Sequence, residues 1–164
     1  MIVLDSSFLI GFHNPSDAHH RAASVLMERF LAGEWGQGLL LEYVFLEVVT
    51  VIMLRLDLAA ANRTGRILLE AQELEFAPCS DFFLETLDGF SRQDGTRLSF
   101  VDAALAHAAR TRADGQILTF DAEFRKLPSM RVQSTHPLPE ASKFPAAPGV
   151  SKVEVECRAV IQNR

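Results

Sequence analysis

The sequence predicts an α/β fold built on a central, mainly parallel sheet of about five strands, and three observations predict it. Short apolar runs at residues 2–4, 39–41, 74–77, 116–120 and 130–133 alternate with longer segments of helical character. Strands separated by helices imply a parallel sheet wrapped on both faces. Two of the runs stop at an aspartate, Asp5 and Asp121, and open α/β sheets bind ligands beyond the carboxyl ends of their strands.

Residues 2–4 form a short buried strand, and Asp5-Ser6-Ser7 can cap a short helix to about Phe12. Asn14-Pro15-Ser16 breaks it. A helix from about Asp17 to Leu31 follows, with Ala22, Val25, Leu26, Arg29 and Phe30 at roughly 3.6-residue spacing. Residues 33–38 are a turn before the second strand. Residues 43–55 are ambiguous, because Val48-Val49-Thr50-Val51-Ile52 favours strand by propensity. Their length without a turn signal exceeds a typical strand, so the reading is helix. Residues 58–73 are a cleaner helix, and 74–77 the third strand. Ser80-Asp81 caps a helix to about Phe90, with a loop at 93–96. The next helix, 99–113, has Ser99 at its N-cap, Arg110 and Arg112 in its last turn and Gly115 at C′. Residues 121–126 are a short helix between the fourth and fifth strands.

With 164 residues, 48% of them hydrophobic and 23% charged, one domain with a continuous core is expected. No apolar run approaches the roughly 20 residues needed to span a membrane. No basic leader precedes the first apolar stretch, and Cys79 and Cys157 form neither a CxxC nor a disulfide framework. Both features predict a cytoplasmic protein with unpaired thiols and no membrane partner. The formal net charge of −5 weighs against strong non-specific nucleic-acid binding but does not exclude an enzyme acting on RNA or DNA. After His136 the chain changes character. Pro137, Pro139, Pro145 and Pro148 mark a linker, and Val153, Val155 and Cys157 alternate with charged residues in strand periodicity. The expected division is therefore a domain over residues 1–135 and an extension over 136–164, either an edge strand or disordered.

Four acids stand out: Asp5, Glu47, Asp102 and Asp121. Each has a plain structural use. Asp5 and Asp121 can cap helices, Ser99 and Asp102 match a capping box, and Glu47 could pair with an arginine. Asp102 heads a stripe of Leu105, Ala106 and Ala109, so it should point inward. Glu47 lies within Tyr43-Val44-Phe45-Leu46-Glu47-Val48-Val49 and is expected to be buried, where an unpartnered carboxylate costs several kcal/mol. Four gathered carboxylates raise one another's pKa unless a positive group joins them. A hard dication satisfies them, and with no Cys or His cluster Mg²⁺ or Mn²⁺ fits better than zinc. Such a site can activate water and stabilise displacement at phosphorus.

Four stretches carry a family resemblance: Ile2-Val3-Leu4-Asp5-Ser6-Ser7-Phe8-Leu9-Ile10, the helix with Glu47, Leu98-Ser99-Phe100-Val101-Asp102-Ala103-Ala104, and Ile117-Leu118-Thr119-Phe120-Asp121-Ala122-Glu123-Phe124. In this order, over residues 1 to about 133, the chain resembles a PIN domain, and specifically the toxin ribonuclease of VapBC-type toxin–antitoxin pairs. The resemblance implies a three-layer α/β/α fold and a Mg²⁺- or Mn²⁺-dependent endoribonuclease, commonly a homodimer, inhibited by a small antitoxin protein. It implies that Asp5, Glu47, Asp102 and Asp121 are the catalytic and metal-binding acids, with the hydroxyls of Ser6 and Thr119 supporting them. Glu123 reads first as a solvated helix residue and second as a supplementary ligand. The long tail departs from the compact family pattern.

His19-His20-Arg21 reads as a solvated helix face rather than a phosphate contact. Arg63, Arg66, Arg92 and Arg97 read as surface charges, and Trp35 and Tyr43 as core. The alternative to a nuclease is a catalytically weak PIN-like module that binds a protein partner, with apolar residues between Leu54 and Leu69 as its surface. A receiver-type phosphoacceptor would need an acidic pair where the chain has Asp5-Ser6, and a haloacid-type phosphatase an acid where it has Ser7.

Overall fold

The structure, a computed structural model, describes residues 1–134; the predicted extension and Cys157 lie outside them. Five strands, β1 (Ile2–Leu4), β2 (Gly38–Leu41), β3 (Leu74–Ala77), β4 (Gln116–Leu118) and β5 (Arg131–Gln133), form one all-parallel sheet in the order β3-β2-β1-β4-β5. Six α-helices flank it: α1 (Ser6–His13), α2 (His20–Leu31), α3 (Glu42–Arg55), α4 (Leu58–Glu70), α5 (Phe83–Ser91) and α6 (Phe100–Arg112). The chain runs outward from β1 to β2 and β3, then returns to β4 on the other side of β1. Right-handed crossovers in opposite directions place their helices on opposite faces of the sheet, which makes three layers. The same reversal opens a crevice beside β1, where strand order switches direction.

Ile2, Val3, Leu4, Leu39, Leu40 and Leu41 are all fully buried. Strands covered on both faces have no solvent side to alternate with, so they read as continuous apolar runs. Residues 43–55 are helical as predicted. Val44, Val48 and Ile52 supply the buried stripe, four residues apart, and tertiary burial overrides the β-branched propensity.

Some boundaries differ from the prediction. Helix α2 starts at His20 rather than near Asp17, because Asp17 closes a turn: its Oδ1 accepts from the His19 N–H at 2.9 Å and its carbonyl from His20 at 3.0 Å. Ser80 and Asp81 do not cap α5. The Ser80 hydroxyl donates to the Asp81 carboxylate at 3.2 Å, residues Cys79–Phe82 form a 3-10 turn, and α5 begins at Phe83. Helix α4 stops at Glu70, three residues early. Strand β4 ends at Leu118, and residues Ala122–Lys126 are a 3-10 turn rather than an α-helix. After α6 the cap residue is Ala113. Asp114 (φ 48°) takes the first left-handed position and Gly115 (φ 77°) the next, one place later than expected.

Candidate functional site

Strand register builds the centre of the site. Leu4 of β1 pairs with Leu118 of β4, so the next residues, Asp5 and Thr119, leave the sheet side by side. The Asp5 N–H donates to the Leu118 carbonyl at 3.1 Å and holds them together. Asp5 then caps α1, as predicted: its Oδ1 accepts from the Ser6 N–H at 2.7 Å. Its Oδ2 takes two hydroxyl donors, Ser7 at 2.5 Å and Thr119 at 2.7 Å. Each hydroxyl in turn accepts a backbone N–H, Ser7 from Phe120 at 3.0 Å and Thr119 from Asp121 at 2.9 Å. With both protons committed to Asp5, the 3.3 Å approach of the two hydroxyls is geometric convergence rather than a further bond.

Asp5 is only 4% exposed. Burial pushes its carboxyl above the usual range; the Ser7 and Thr119 hydroxyls and the Ser6 N–H oppose the shift, and the charge of Asp102 adds to it. Asp102 is half-buried on α6 and forms the predicted capping box, its Oδ2 accepting from the Ser99 N–H at 2.8 Å while its own N–H donates to the Ser99 hydroxyl at 3.1 Å. Leu105, Ala106 and Ala109 are buried beneath it. Asp121 caps the 3-10 turn, accepting from the Glu123 N–H at 2.8 Å.

Glu47 corrects the prediction. It is exposed, not buried, and so is Thr50, whose hydroxyl bonds back to the Leu46 carbonyl at 2.7 Å. At about 100° per residue, Glu47 stands about 60° from Val44 and about 100° from Val48, on the flank of the Val44–Val48–Ile52 stripe. Its carboxyl is nevertheless held above the usual range, first by partial desolvation, with the Ser6 hydroxyl opposing and the charges of Asp5 and Asp102 contributing. Electrostatic influence therefore links Asp5 at the α1 N-cap with Glu47 of α3 and Asp102 of α6.

None of the four acids makes an ion pair among the described residues. The arginine partner considered for Glu47 is not found. Nor do any three His, Cys, Asp or Glu side chains among them stand close enough to enclose an ion as they lie. The donor chemistry still fits a hard dication, since every acid presents oxygen and, among the described residues, no cation pairs with the buried member. Glu123 is tied to Lys126, which holds its carboxyl below the usual range, while its Oε2 is enclosed without a hydrogen-bond partner.

The hydroxyl that sequence reasoning missed is Ser7. Ser6, expected to support the acids, donates its hydroxyl to Asp5 Oδ1 at 3.4 Å and opposes the upward shift of the Glu47 carboxyl. The run Asp5-Ser6-Ser7 signals a capped helix start, and only the helix's orientation on β4 decides which serine turns back.

A parallel sheet with a switch point beside β1, and with Asp5, Glu47 and Asp102 electrostatically coupled, defines a class of α/β proteins with a carboxylate cluster. Within that class the family is clear. The PIN domain family model matches residues 2–129, and the chain belongs to that family. Solved structures share the fold. VapC20 of Mycobacterium tuberculosis, described as a sarcin-ricin loop cleaving toxin, superposes with a TM-score of 0.67 at 24% identity, covering 77% of this chain and 94% of that one. VapBC2 of Rickettsia felis, solved bound to a DNA fragment from their promoter, gives 0.57 at 16% identity over 81% and 98%. No curated protein matches the chain. Among the described residues, no helix is long and apolar enough to cross a membrane.

Proposed function

We propose that the chain is a Mg²⁺- or Mn²⁺-dependent endoribonuclease, the toxin of a toxin–antitoxin pair. One observation carries the reading: the buried Asp5 carboxylate, oriented by two hydroxyls and facing the charges of Glu47 and Asp102 without a cation. Isolated buried charge is costly and persists in folded proteins where a counter-ion or a function requires it. Asp5, Glu47 and Asp102 would hold the ion, with Asp121 alongside. When bound, it would supply positive charge to a phosphoryl group and lower the pKa of water. The chain's own contribution is orientation. Ser7 and Thr119 fix the Asp5 oxygens, Ser99 fixes Asp102, and exposed Glu47 retains the side-chain freedom to close on an ion.

The antitoxin and a second copy of the chain are the proposed protein partners, and the apolar surface supports them. Leu46, Leu54, Leu58 and Leu69 on α3 and α4 are exposed, as are Phe83, Leu84 and Leu87 on α5. A groove of about 310 Å³ lined by Tyr43, Phe83, Phe100 and Val101 lies beside them. The free Cys79 thiol is consistent with a cytoplasmic setting. Those same surfaces also favour the second reading, a protein-binding module with weak catalysis.

Cleavage of a structured RNA mixture separates the two. Purified protein should cut with Mn²⁺ or Mg²⁺, stop with EDTA, and lose about 10³-fold or more in rate on Asp102→Asn or Asp5→Asn with the circular dichroism unchanged. The amide introduced by Asp102→Asn keeps an oxygen acceptor for the Ser99 N–H, so the cap survives. Full cleavage by both variants would remove the acids from the chemistry.

A further inference from the structure

An exposed imidazole lies flat on the residue between Thr119 and Asp121. The rings of His19 and Phe120 are stacked, with centroids 4.4 Å apart and planes within 9°. Phe120 is the residue between Thr119 and Asp121, and its N–H is the one bonded to the Ser7 hydroxyl that orients Asp5. The lower ring of the stack is thus fixed by the network that fixes the acid. His19 is fixed from the other side: its N–H donates to Asp17 Oδ1 at 2.9 Å, and Asp17 Oδ2 accepts from Arg55 of α3 at 3.1 Å.

The two neighbouring histidines are used differently. His20 is half-buried and its Nδ1 donates to the Gly11 carbonyl at 2.9 Å. The His19 ring makes no hydrogen bond among the described residues, and the residue is exposed. Shielding Phe120 alone would require only an aliphatic side chain. What the imidazole adds is a second aromatic face, held parallel to the first and open to water, on the ring of the residue that directly precedes Asp121. Unpaired nucleobases stack on aromatic and histidine side chains whatever their identity, because every base has a π face.

We propose that His19, backed by Phe120, is a stacking platform for the nucleobase next to the phosphate that the carboxylates address. The proposal rests on the nuclease reading. A base inside a duplex is already stacked and cannot reach the platform. The site therefore selects splayed nucleotides by geometry, with little demand on sequence.

Binding without cleavage tests it. Full-length protein in EDTA is titrated into an RNA hairpin carrying 2-aminopurine in its loop, and quenching and anisotropy are read together. The wild type should quench the probe. His19→Ala should lose the quench and bind about ten-fold more weakly, and His19→Phe should keep both. His19→Lys, which supplies a cation without a ring, should not quench. With Mn²⁺ present, the loss in His19→Ala should appear in KM more than in kcat. Equal quench and affinity in His19→Ala, or rescue by Lys and not by Phe, overturns the platform while leaving the nuclease intact. A wild type that neither binds nor cuts RNA overturns both.

Discussion

Thr119→Val tests whether hydroxyl geometry, rather than packing, holds the site. Thr119 is 1% exposed, and valine matches its shape while removing one oxygen. That oxygen donates to Asp5 Oδ2 at 2.7 Å and accepts from the Asp121 N–H at 2.9 Å. A hydrogen bond to a carboxylate contributes about 1.5–3 kcal/mol, and leaving the half-buried Asp121 N–H unpaired adds about 1. The expected loss is about 3 kcal/mol, or about 10 °C in Tm for a domain of this size. Thr119→Ser keeps the oxygen and loses a buried methyl, which costs about 1 kcal/mol. Thermal melts in EDTA should therefore rank wild type above Thr119→Ser above Thr119→Val. Counting buried apolar area ranks the two variants the other way, with valine as stable as the wild type. That reversed order would refute the reasoning.

Two further outcomes follow from other parts of the fold. Gly115→Ala should cost about 3 kcal/mol or more, because a Cβ would stand 2.0 Å from the Ser129 carbonyl oxygen at a φ of +77°; solubility and Tm on expression check it. His13 is held neutral by burial, its pKa lowered to about 4. The unfolded chain takes up this proton near pH 6.5, so between 6.5 and 4 it binds more protons than the folded one and stability falls as pH drops. The loss attributable to His13 is about 2–3 kcal/mol, and urea melts of His13→Gln should show a correspondingly flatter pH dependence across that window.

The parts of this protein legible in its sequence are those decided locally. Strands β1 and β2 are buried on both faces, and that condition writes an unbroken apolar run. The Ser99–Asp102 capping box is a four-residue pattern whose bonds close within one turn. Asp5 and Asp121 each follow such a run or lead a turn, and both cap as expected. What could not be read depends on competition between neighbours in space. Ser80 and Asp81 have the right chemistry to cap α5 but bond each other. Ser7 makes the shorter bond to Asp5 and also accepts the Phe120 N–H from across the sheet, a contact that only the tertiary fold brings about. Glu47 sits among apolar letters, yet α3 buries a narrow stripe and leaves its flank in water.

That last difference separates Glu47 from the other three acids. Asp5, Asp102 and Asp121 lie at helix starts, where free N–H groups hold each carboxylate in place. For them, stability and site geometry are one set of bonds, so a substitution disturbs both. Glu47 is in mid-helix, exposed, and accepts no hydrogen bond from a backbone N–H. Among the described residues only the Ser6 hydroxyl favours its charged form, and the like charges of Asp5 and Asp102 disfavour its approach. If an ion gathers the acids, Glu47 is the one that moves. Glu47→Gln should therefore leave Tm within the change expected of a surface substitution, about 0.5 kcal/mol. It should still weaken Mn²⁺ uptake, measured calorimetrically, by about ten-fold or more. Unchanged uptake in this variant would mean the ion is held by the three capped aspartates alone, with α3 outside the site.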